Sequence, residues 1–218
     1  MIVPLERLAS PERLDLVLNI RPAQMVDINP MLELQAEAFA DKFTAAFGRH
    51  GAERGLAAMI RTHHLQGPGS LQGMHVAVYE NRVVGTVTMR TVEMRVDDGG
   101  LVEQAFLREL GTWGTIRAMR AFSQLEHYIG RDEGYITDVA VAPAMRRRGI
   151  AQAMLSYIIA LARETGKGRL GLYVSASNKH ALDLYYRLGF REQKVRRSWW
   201  HAVFLGERRW IYMTYPIL

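Results

Sequence analysis

Three consecutive arginines, Arg146, Arg147 and Arg148, precede Gly149 in the stretch APAMRRRGIAQAML, residues 142–155. Here a strand stopped by Pro143 meets the start of an amphipathic helix. A helix N-terminus already carries unpaired N–H groups and partial positive charge. Like charges stacked there repel one another unless an anion sits on them. A strand-to-helix loop with free amides, a helix dipole and a glycine that allows close approach is the geometry that binds phosphate. The spacing is neither GxxxxGK[ST] nor GxGxxG. Arginine side chains add charge-assisted bonds to a further phosphate, so the predicted ligand is a pyrophosphate-bearing small molecule. Taken alone, an arginine triplet also reads as a solvated basic turn.

The elements that must position this turn follow from hydrophobic periodicity. GYITDVAVAP, rich in β-branched residues, is a strand, and Ile150, Ala153, Met154, Tyr157, Ile158 and Leu161 then repeat on one helical face. RLGLYVSA is a further strand, and SNKHALDLYYRLGF a helix closed by Gly189. Upstream, Leu14, Leu16, Leu18 and Ile20 alternate as a strand. One long helix follows, with Phe39, Phe43 and Phe47 in register, Asn29 as its cap and Pro30 at its first position. A second helix covers GAERGLAAMIRTHHL. MHVAVYE and VVGTVTMRTVEM pair as a hairpin turning at Asn81 and Arg82. Residues 101–129 are helical, with Ala118, Ala121, Phe122, Leu125 and Ile129 as an apolar stripe. Two strands close the chain, with Trp199, Trp210, Tyr212 and Tyr215 assigned to one face. The order gives an α+β fold with a mixed sheet. No linker or repeat interrupts it, so residues 1–218 are expected to be a single domain with a helical insert at about 99–134 between the third and fourth strands.

Composition narrows the function. The 218 residues carry a net charge of +6 and a pI near 9.8, which favours anionic partners. Cysteine is absent, which excludes disulfides, thiolate metal sites and cysteine nucleophiles. The adjacent His63 and His64 point about 100° apart on a helix, so no histidine pair has a metal spacing, and no metal is expected. The N-terminus lacks the apolar core of a signal peptide, and no apolar run approaches the ~20 residues of a membrane span. The expectation is a cytoplasmic protein that does not contact membrane.

With its elements placed, the chain resembles the GNAT-superfamily N-acyltransferases. VAVAPAMRRRGIAQAML is similar to that family's acyl-CoA-binding motif, [QR]-x-x-G-x-[GA] after a strand, with Arg146, Gly149 and Ala151 at the fixed positions. LYVSASNKHALDLYYRLGF is similar to its V-x-x-x-N-x-x-A-x-x-L-Y-x-x-x-G-F pattern, met by Val174, Asn178, Ala181, Leu184, Tyr185, Gly189 and Phe190. The resemblance covers roughly residues 14–216. It implies a mostly antiparallel sheet splayed at its centre, with helices on both faces. It implies acetyl-CoA as co-substrate, its pantetheine pairing with the backbone of Val139 and Val141. The pyrophosphate would rest on the turn from Arg147 through Arg148, Gly149 and Ile150 to Ala151, with Arg146 beside it. Asn178 would reach the pantetheine arm, or serve as a plain helix cap.

The implied reaction is direct acetyl transfer to a primary amine, without a metal or a covalent enzyme intermediate. Tyr185 takes the family's position for the acid that protonates the departing thiolate; Tyr186 faces about 100° away, and a core tyrosine is the competing reading of Tyr185. A backbone N–H near Val139 would hold the thioester carbonyl. Where many members place a glutamate, this chain has Thr137. Asp138 is the chosen base, reaching the site through a bulge; Glu93, His75 and Glu126, relaying through water, remain alternatives, as does a structural role for Asp138. Trp113, Tyr128, Asp132 and Glu133 of the insert are expected to line or cover the acceptor pocket. A partly walled pocket favours a small-molecule amine over a peptide.

Three rival readings stand beside this one. The same motifs serve acetyltransferases of protein N-termini or lysines. KVRRSWW with ERRWIY interleaves basic and aromatic residues as a nucleic-acid-binding module would. A non-catalytic acyl-CoA-binding protein is the third. The apolar last strands and their open sheet edge allow a homodimer.

Overall fold

The computed structural model describes residues 18–94, 100–123, 127–197 and 207–217. Its first strand, β1 (Asn19–Pro22), leads into α1 (Ile28–Ala38), α2 (Ala40–Phe47) and α3 (Ala52–Gln66). Then come β2 (Met74–Tyr79), β3 (Arg82–Arg90), α4 (Leu101–Ser123) and β4 (Glu133–Val141). The chain continues through α5 (Ile150–Glu164), β5 (Arg169–Ser175), α6 (Lys179–Leu188), β6 (Arg191–Arg197) and β7 (Arg209–Pro216). The seven strands form one sheet in the order β1-β2-β3-β4-β5-β7-β6. Every pairing is antiparallel except β4 with β5. The expected α+β class, mixed sheet and insert between the third and fourth strands are all present.

Local chemistry explains where the elements start and stop. The β2–β3 hairpin turns at Glu80 and Asn81, both with positive φ (47° and 60°), as a two-residue primed turn requires; the turn is thus one residue earlier than the sequence suggests. The long first helix is instead two helices. Phe39 leaves helical geometry (φ −118°, ψ 32°) between α1 and α2, and this break re-aims α2 relative to α1. The entry to α1 is fixed by Asp27 rather than Asn29. Asp27 accepts from the Gln24 N–H at 2.7 Å and pairs with Arg21 at 2.6 Å. Asn29 and Pro30 lie inside the first turn of α1, and Asn29 Oδ1 contacts His64 Nε2 at 3.3 Å.

Two faces of the sheet carry separate cores. On one, α5 presents Ile150, Met154, Leu155 and Ile158 to Val87, Ile136, Leu172 and Ile211, all buried. On the other, α1 packs Ile28, Met31 and Leu32 against Met74 and Val76 of β2, and beyond it α2, α3 and the insert helix α4 pack Phe47, Ala58, Phe106, Ala118 and Ala121 together. Within α4, Gly111 (φ 68°, ψ 179°) breaks the helix, and Leu125 of the expected stripe lies outside the described residues. Arg117 on α4 donates to the carbonyls of Ala45 (2.5 Å) and Ala46 (3.1 Å) in the last turn of α2, satisfying groups that a helix end leaves open. The insert therefore clamps α2 in place.

The final strands differ from expectation in two respects. Trp210 and Tyr212 share one face of β7, but Tyr215, an odd number of residues from Tyr212, lies on the other face against Phe190, 5.4 Å between ring centroids. Trp199 lies outside the described residues. The edge strand β6 is mostly exposed and reads Arg191, Glu192, Gln193, Lys194, Val195, Arg196, Arg197. That edge is charged rather than apolar, which is how natural sheets discourage edge-to-edge pairing. Of the two features expected to allow a homodimer, the open sheet edge is present, and its apolar character is not. No helix among the described residues is long and apolar enough to cross a membrane.

Candidate functional site

The site begins where two parallel strands part. β4 and β5 pair from Glu133–Arg169 to Ile136–Leu172 and no further. Beyond that point β5 is held only by β7, through Val174–Ile211 and Ser175–Trp210, while β4 continues along β3. One edge of β4 from Thr137 onward thus faces a gap, with backbone groups that a continuous ladder would have consumed.

A bulge sits at the point of divergence. Thr88 pairs with Thr137 and Thr86 with Ala140, so Asp138 and Val139 together oppose Val87. Two residues against one is a β-bulge, which bends the strand and re-aims side chains. Asp138 takes a left-handed conformation, φ 57°, which Asp adopts more readily than most residues. Thr137 and Asp138, which would point to opposite faces of a regular strand, are brought within hydrogen-bond reach, and both border one cavity together with Tyr135, Ile136 and Val139. The Thr137 hydroxyl donates to Asp138 Oδ2 at 2.7 Å.

That cavity, of about 290 Å3, passes through the splay and takes walls from both cores. Tyr185 and Ala181 of α6 border it on one side, and Phe43, Phe47 and Phe122 on the other. Tyr135, Tyr173 and Trp210 complete an aromatic wall. Tyr185 is buried, and loss of hydration pushes its phenol up to about 12, so it is protonated throughout the neutral range. Asn178 caps α6, its Oδ1 accepting from the Ala181 N–H at 3.1 Å, and it also borders the cavity. Both of its expected roles are geometrically available.

The arginine turn lies at the C-terminal end of β4. A short 3-10 turn, Pro143–Met145, leads to Arg146, and Gly149 (φ 82°) opens α5. Arg147 also has positive φ, 63°. Among the described residues no backbone hydrogen bond uses the amides of Arg147, Arg148 or Gly149, and the first N–H groups of a helix have no partner within it. The three arginine side chains are exposed. Arg146 Nε donates to the Val141 carbonyl at 3.1 Å, so that carbonyl is engaged by the turn itself. This ties the splayed end of β4 to the turn.

The other base candidates lie elsewhere. His75 is buried on β2, its Nδ1 3.0 Å from the Gly73 carbonyl and its ring 5.2 Å from Tyr157. Glu93 pairs with Lys167 at 2.9 Å. Neither borders the cavity, and Glu126 lies outside the described residues. Nor do the insert residues singled out from sequence line it. Trp113 and Tyr128 are largely exposed, at 84% and 90%. Asp132 pairs with Arg169 at 3.2 Å. Glu133 is buried beneath the site, accepting from the Tyr212 hydroxyl at 2.6 Å and the Gly130 N–H at 3.1 Å, with His127 Nε2 at 2.8 Å. The insert reaches the cavity through Ala121 and Phe122 instead. These small and apolar residues gave no chemical signal in the sequence, only a place in a helical stripe. Lys42 also borders the cavity. Its signal was available: Lys42 stands four residues before the buried Ala46, a spacing that shares one helical face.

A protonated phenol, a bulged carboxylate and an open strand edge around one cavity, with an amide-rich arginine turn at the end of the same strand, suit acyl transfer from a phosphorylated carrier to an amine. Comparison with known proteins agrees. The family model described as the acetyltransferase (GNAT) family matches residues 31–190. The [ribosomal protein bS18]-alanine N-acetyltransferase of Escherichia coli K12 is 36% identical over 86 residues, 39% of this chain and 57% of that protein. The streptothricin acetyltransferase of Streptomyces lavendulae is 31% identical over 94 residues, 43% of this chain and 50% of that one. The chain thus spans little more than half the length of these curated relatives. Among solved structures, Salmonella typhimurium yncA with its cofactor acetyl-CoA superposes with a TM-score of 0.54 at 20% identity, covering 92% of this chain and 94% of that one.

Proposed function

Given that the chain belongs to the acetyltransferase (GNAT) family, we propose that it moves the acetyl group of acetyl-CoA directly to the primary amine of a small molecule. The observation that carries this reading is the cavity through the β4–β5 splay, bordered by Asp138 on one strand and Tyr185 on the facing helix.

The residues present fit the co-substrate. The unpaired edge of β4 at Val139, and the N–H of Val141, whose carbonyl already accepts from Arg146, offer backbone groups to an amide-bearing arm. The amides of Arg147 to Ala151 and the guanidinium groups of Arg146 and Arg148 suit a pyrophosphate and a further phosphate. When bound, acetyl-CoA supplies an acyl group activated as a thioester. Asp138, oriented by Thr137, takes the proton from the acceptor ammonium, directly or through a water. A backbone N–H beside Val139 stabilises charge developing on the acyl oxygen. Tyr185 gives its proton to the departing sulfur. The desolvation that raises the phenol also raises a thiolate in the same cavity, which brings donor and acceptor closer to balance.

The small-molecule assignment rests on the walls: the insert clamps α2, and α2 with Phe122 closes one side of the cavity. A second reading, acetylation of a protein N-terminus, is favoured by the likeness to the bS18-alanine enzyme. Calorimetric titration with acetyl-CoA and 3′-dephospho-CoA tests the donor assignment, on wild type and on the Arg146→Ala, Arg148→Ala double variant. Micromolar binding that weakens tenfold or more in the variant is expected; absence of wild-type binding overturns the reading. A thiol-release screen of small amines against N-terminal peptides then separates the two acceptor classes.

A further inference from the structure

Only two charged side chains border the cavity among the described residues, Asp138 and Lys42, and the proposed transfer uses only the first. Lys42 lies on the inward face of α2 with Phe39, Phe43, Ala46 and Phe47. Its ammonium stands over two aromatic faces, 5.6 Å from the Phe39 ring centre and 5.7 Å from that of Trp210. Both rings are held. Phe39 sits at the break between α1 and α2, and Trp210 pairs with Ser175 in the sheet while its indole Nε1 donates to the Glu207 carbonyl at 3.2 Å. The one carboxylate within ion-pair range of Lys42 among the described residues is Asp41, at 3.4 Å with a side chain 66% exposed. Such a pair contributes little and leaves most of the positive charge unmatched. A cation held between aromatic rings at the wall of an apolar cavity favours an anionic group on whatever fills it.

We infer, on the footing of the acetyltransferase reading, that Lys42 selects an acceptor whose amine is joined through an apolar or aromatic body to a carboxylate at its far end. The placement separates the two charges. Asp138 is on β4 and the Trp210 clamp is on β7, with β5 and the β4–β5 splay between them. The amine and carboxylate therefore belong to different ends of the acceptor and not to one α-carbon. Phe43, Phe122, Tyr135 and Tyr173 border the cavity for the body between them.

The experiment uses two acceptors that differ only in charge, 4-(aminomethyl)phenylacetate and its carboxamide, with thiol release from acetyl-CoA as the assay. Wild type is expected to prefer the carboxylate about tenfold in kcat/KM, through KM. That ratio falls to near one in Lys42→Met, inverts in Lys42→Glu, and returns in Lys42→Arg. Acetyl-CoA binding by each variant, measured separately, shows that the fold is intact. Equal use of the two acceptors by wild type, or a ratio that Lys42→Met leaves untouched, overturns the inference. So does binding of acetyl-CoA with turnover of neither acceptor, an outcome that leaves the donor assignment standing. Failure to bind acetyl-CoA at all would instead remove the underlying reading.

Discussion

Thr137 and Asp138, neighbours on the strand that borders the cavity, share a 2.7 Å side-chain hydrogen bond. A regular strand forbids this, and the bulge at Asp138 with its φ of 57° permits it. The backbone strain and the carboxylate are therefore separable by substitution. Asp138→Gly keeps the left-handed conformation at no steric cost and is expected to be as stable as wild type, within about 1 kcal/mol. Its kcat should fall about 100-fold, the low end for loss of a general base. Asp138→Val should lose both stability and activity. Thermal melts and steady-state rates on the three proteins check this; an Asp138→Gly enzyme with full kcat would assign the proton to another group.

Tyr185→Phe removes the hydroxyl without emptying the core. Its kcat is expected to drop by about 100-fold or more, with the Kd for acetyl-CoA within twofold of wild type. Stability carries its own signature. The folded pKa is raised to about 12 by burial, above the ordinary tyrosine value. The stabilisation from keeping this phenol neutral is therefore fully present below about pH 10 and lost as pH rises toward 12. Denaturant melts between pH 9 and pH 11.5 should show a shallower alkaline decline for Tyr185→Phe than for wild type.

Asn178 is both the cap of α6 and a cavity residue, and two substitutions distinguish these roles. Asn178→Ser retains a capping oxygen and should cost only a few tenths of a kcal/mol, whereas Asn178→Ala should cost about 1 kcal/mol. If the amide also holds the pantetheine arm, both variants raise KM for acetyl-CoA several-fold. A KM change confined to Asn178→Ala would leave only the cap.

Glu133 is buried, a circumstance that by itself raises a carboxyl. Hydrogen bonds from Tyr212, from the Gly130 N–H and from His127 outweigh this and hold it below the usual carboxylate range. A lowered folded pKa gives stability that is present above the ordinary glutamate value and is lost as pH falls through the folded one. Glu133→Gln should therefore be less stable than wild type at neutral pH, with the gap narrowing below about pH 4. Gly171→Ala tests the same network sterically. An added Cβ would meet Glu133 Oε1 and the Tyr212 hydroxyl oxygen at 2.4 Å each, and the expected cost is about 2–4 kcal/mol by chemical denaturation.

Much of this was legible in residue order. The strand at 133–141, the arginine turn, Gly149 and the α5 stripe follow from periodicity and local chemistry alone, and the second motif fixed Asn178 and Tyr185. The break at Phe39 escaped because Phe39, Phe43 and Phe47 keep helical spacing across it; nothing in the residue types marks a change of direction that tertiary packing imposes. The cavity wall escaped for a related reason. Trp113 and Tyr128 looked chemically eloquent but are exposed, while Ala121 and Phe122 reach the site because α4 docks where Arg117 meets α2. Docking between elements distant in sequence leaves no local trace. The bulge was anticipated as one way for Asp138 to reach the site, but its register can be read only from both strands together.

The strand order has a consequence for how the molecule comes to be made. β7 is synthesised after β6 yet lies between β6 and β5. Until it emerges, β5 has only its four-residue ladder to β4, and β6 has nothing to pair with in the sheet. A nascent chain therefore waits with two open edges for one late insertion, a non-local step of the kind that slows folding and exposes it to aggregation. Trp210 and Tyr212 ride on that strand, one closing the cavity beside Lys42 and the other holding Glu133. The strand that completes the sheet thus also completes the wall of the cavity.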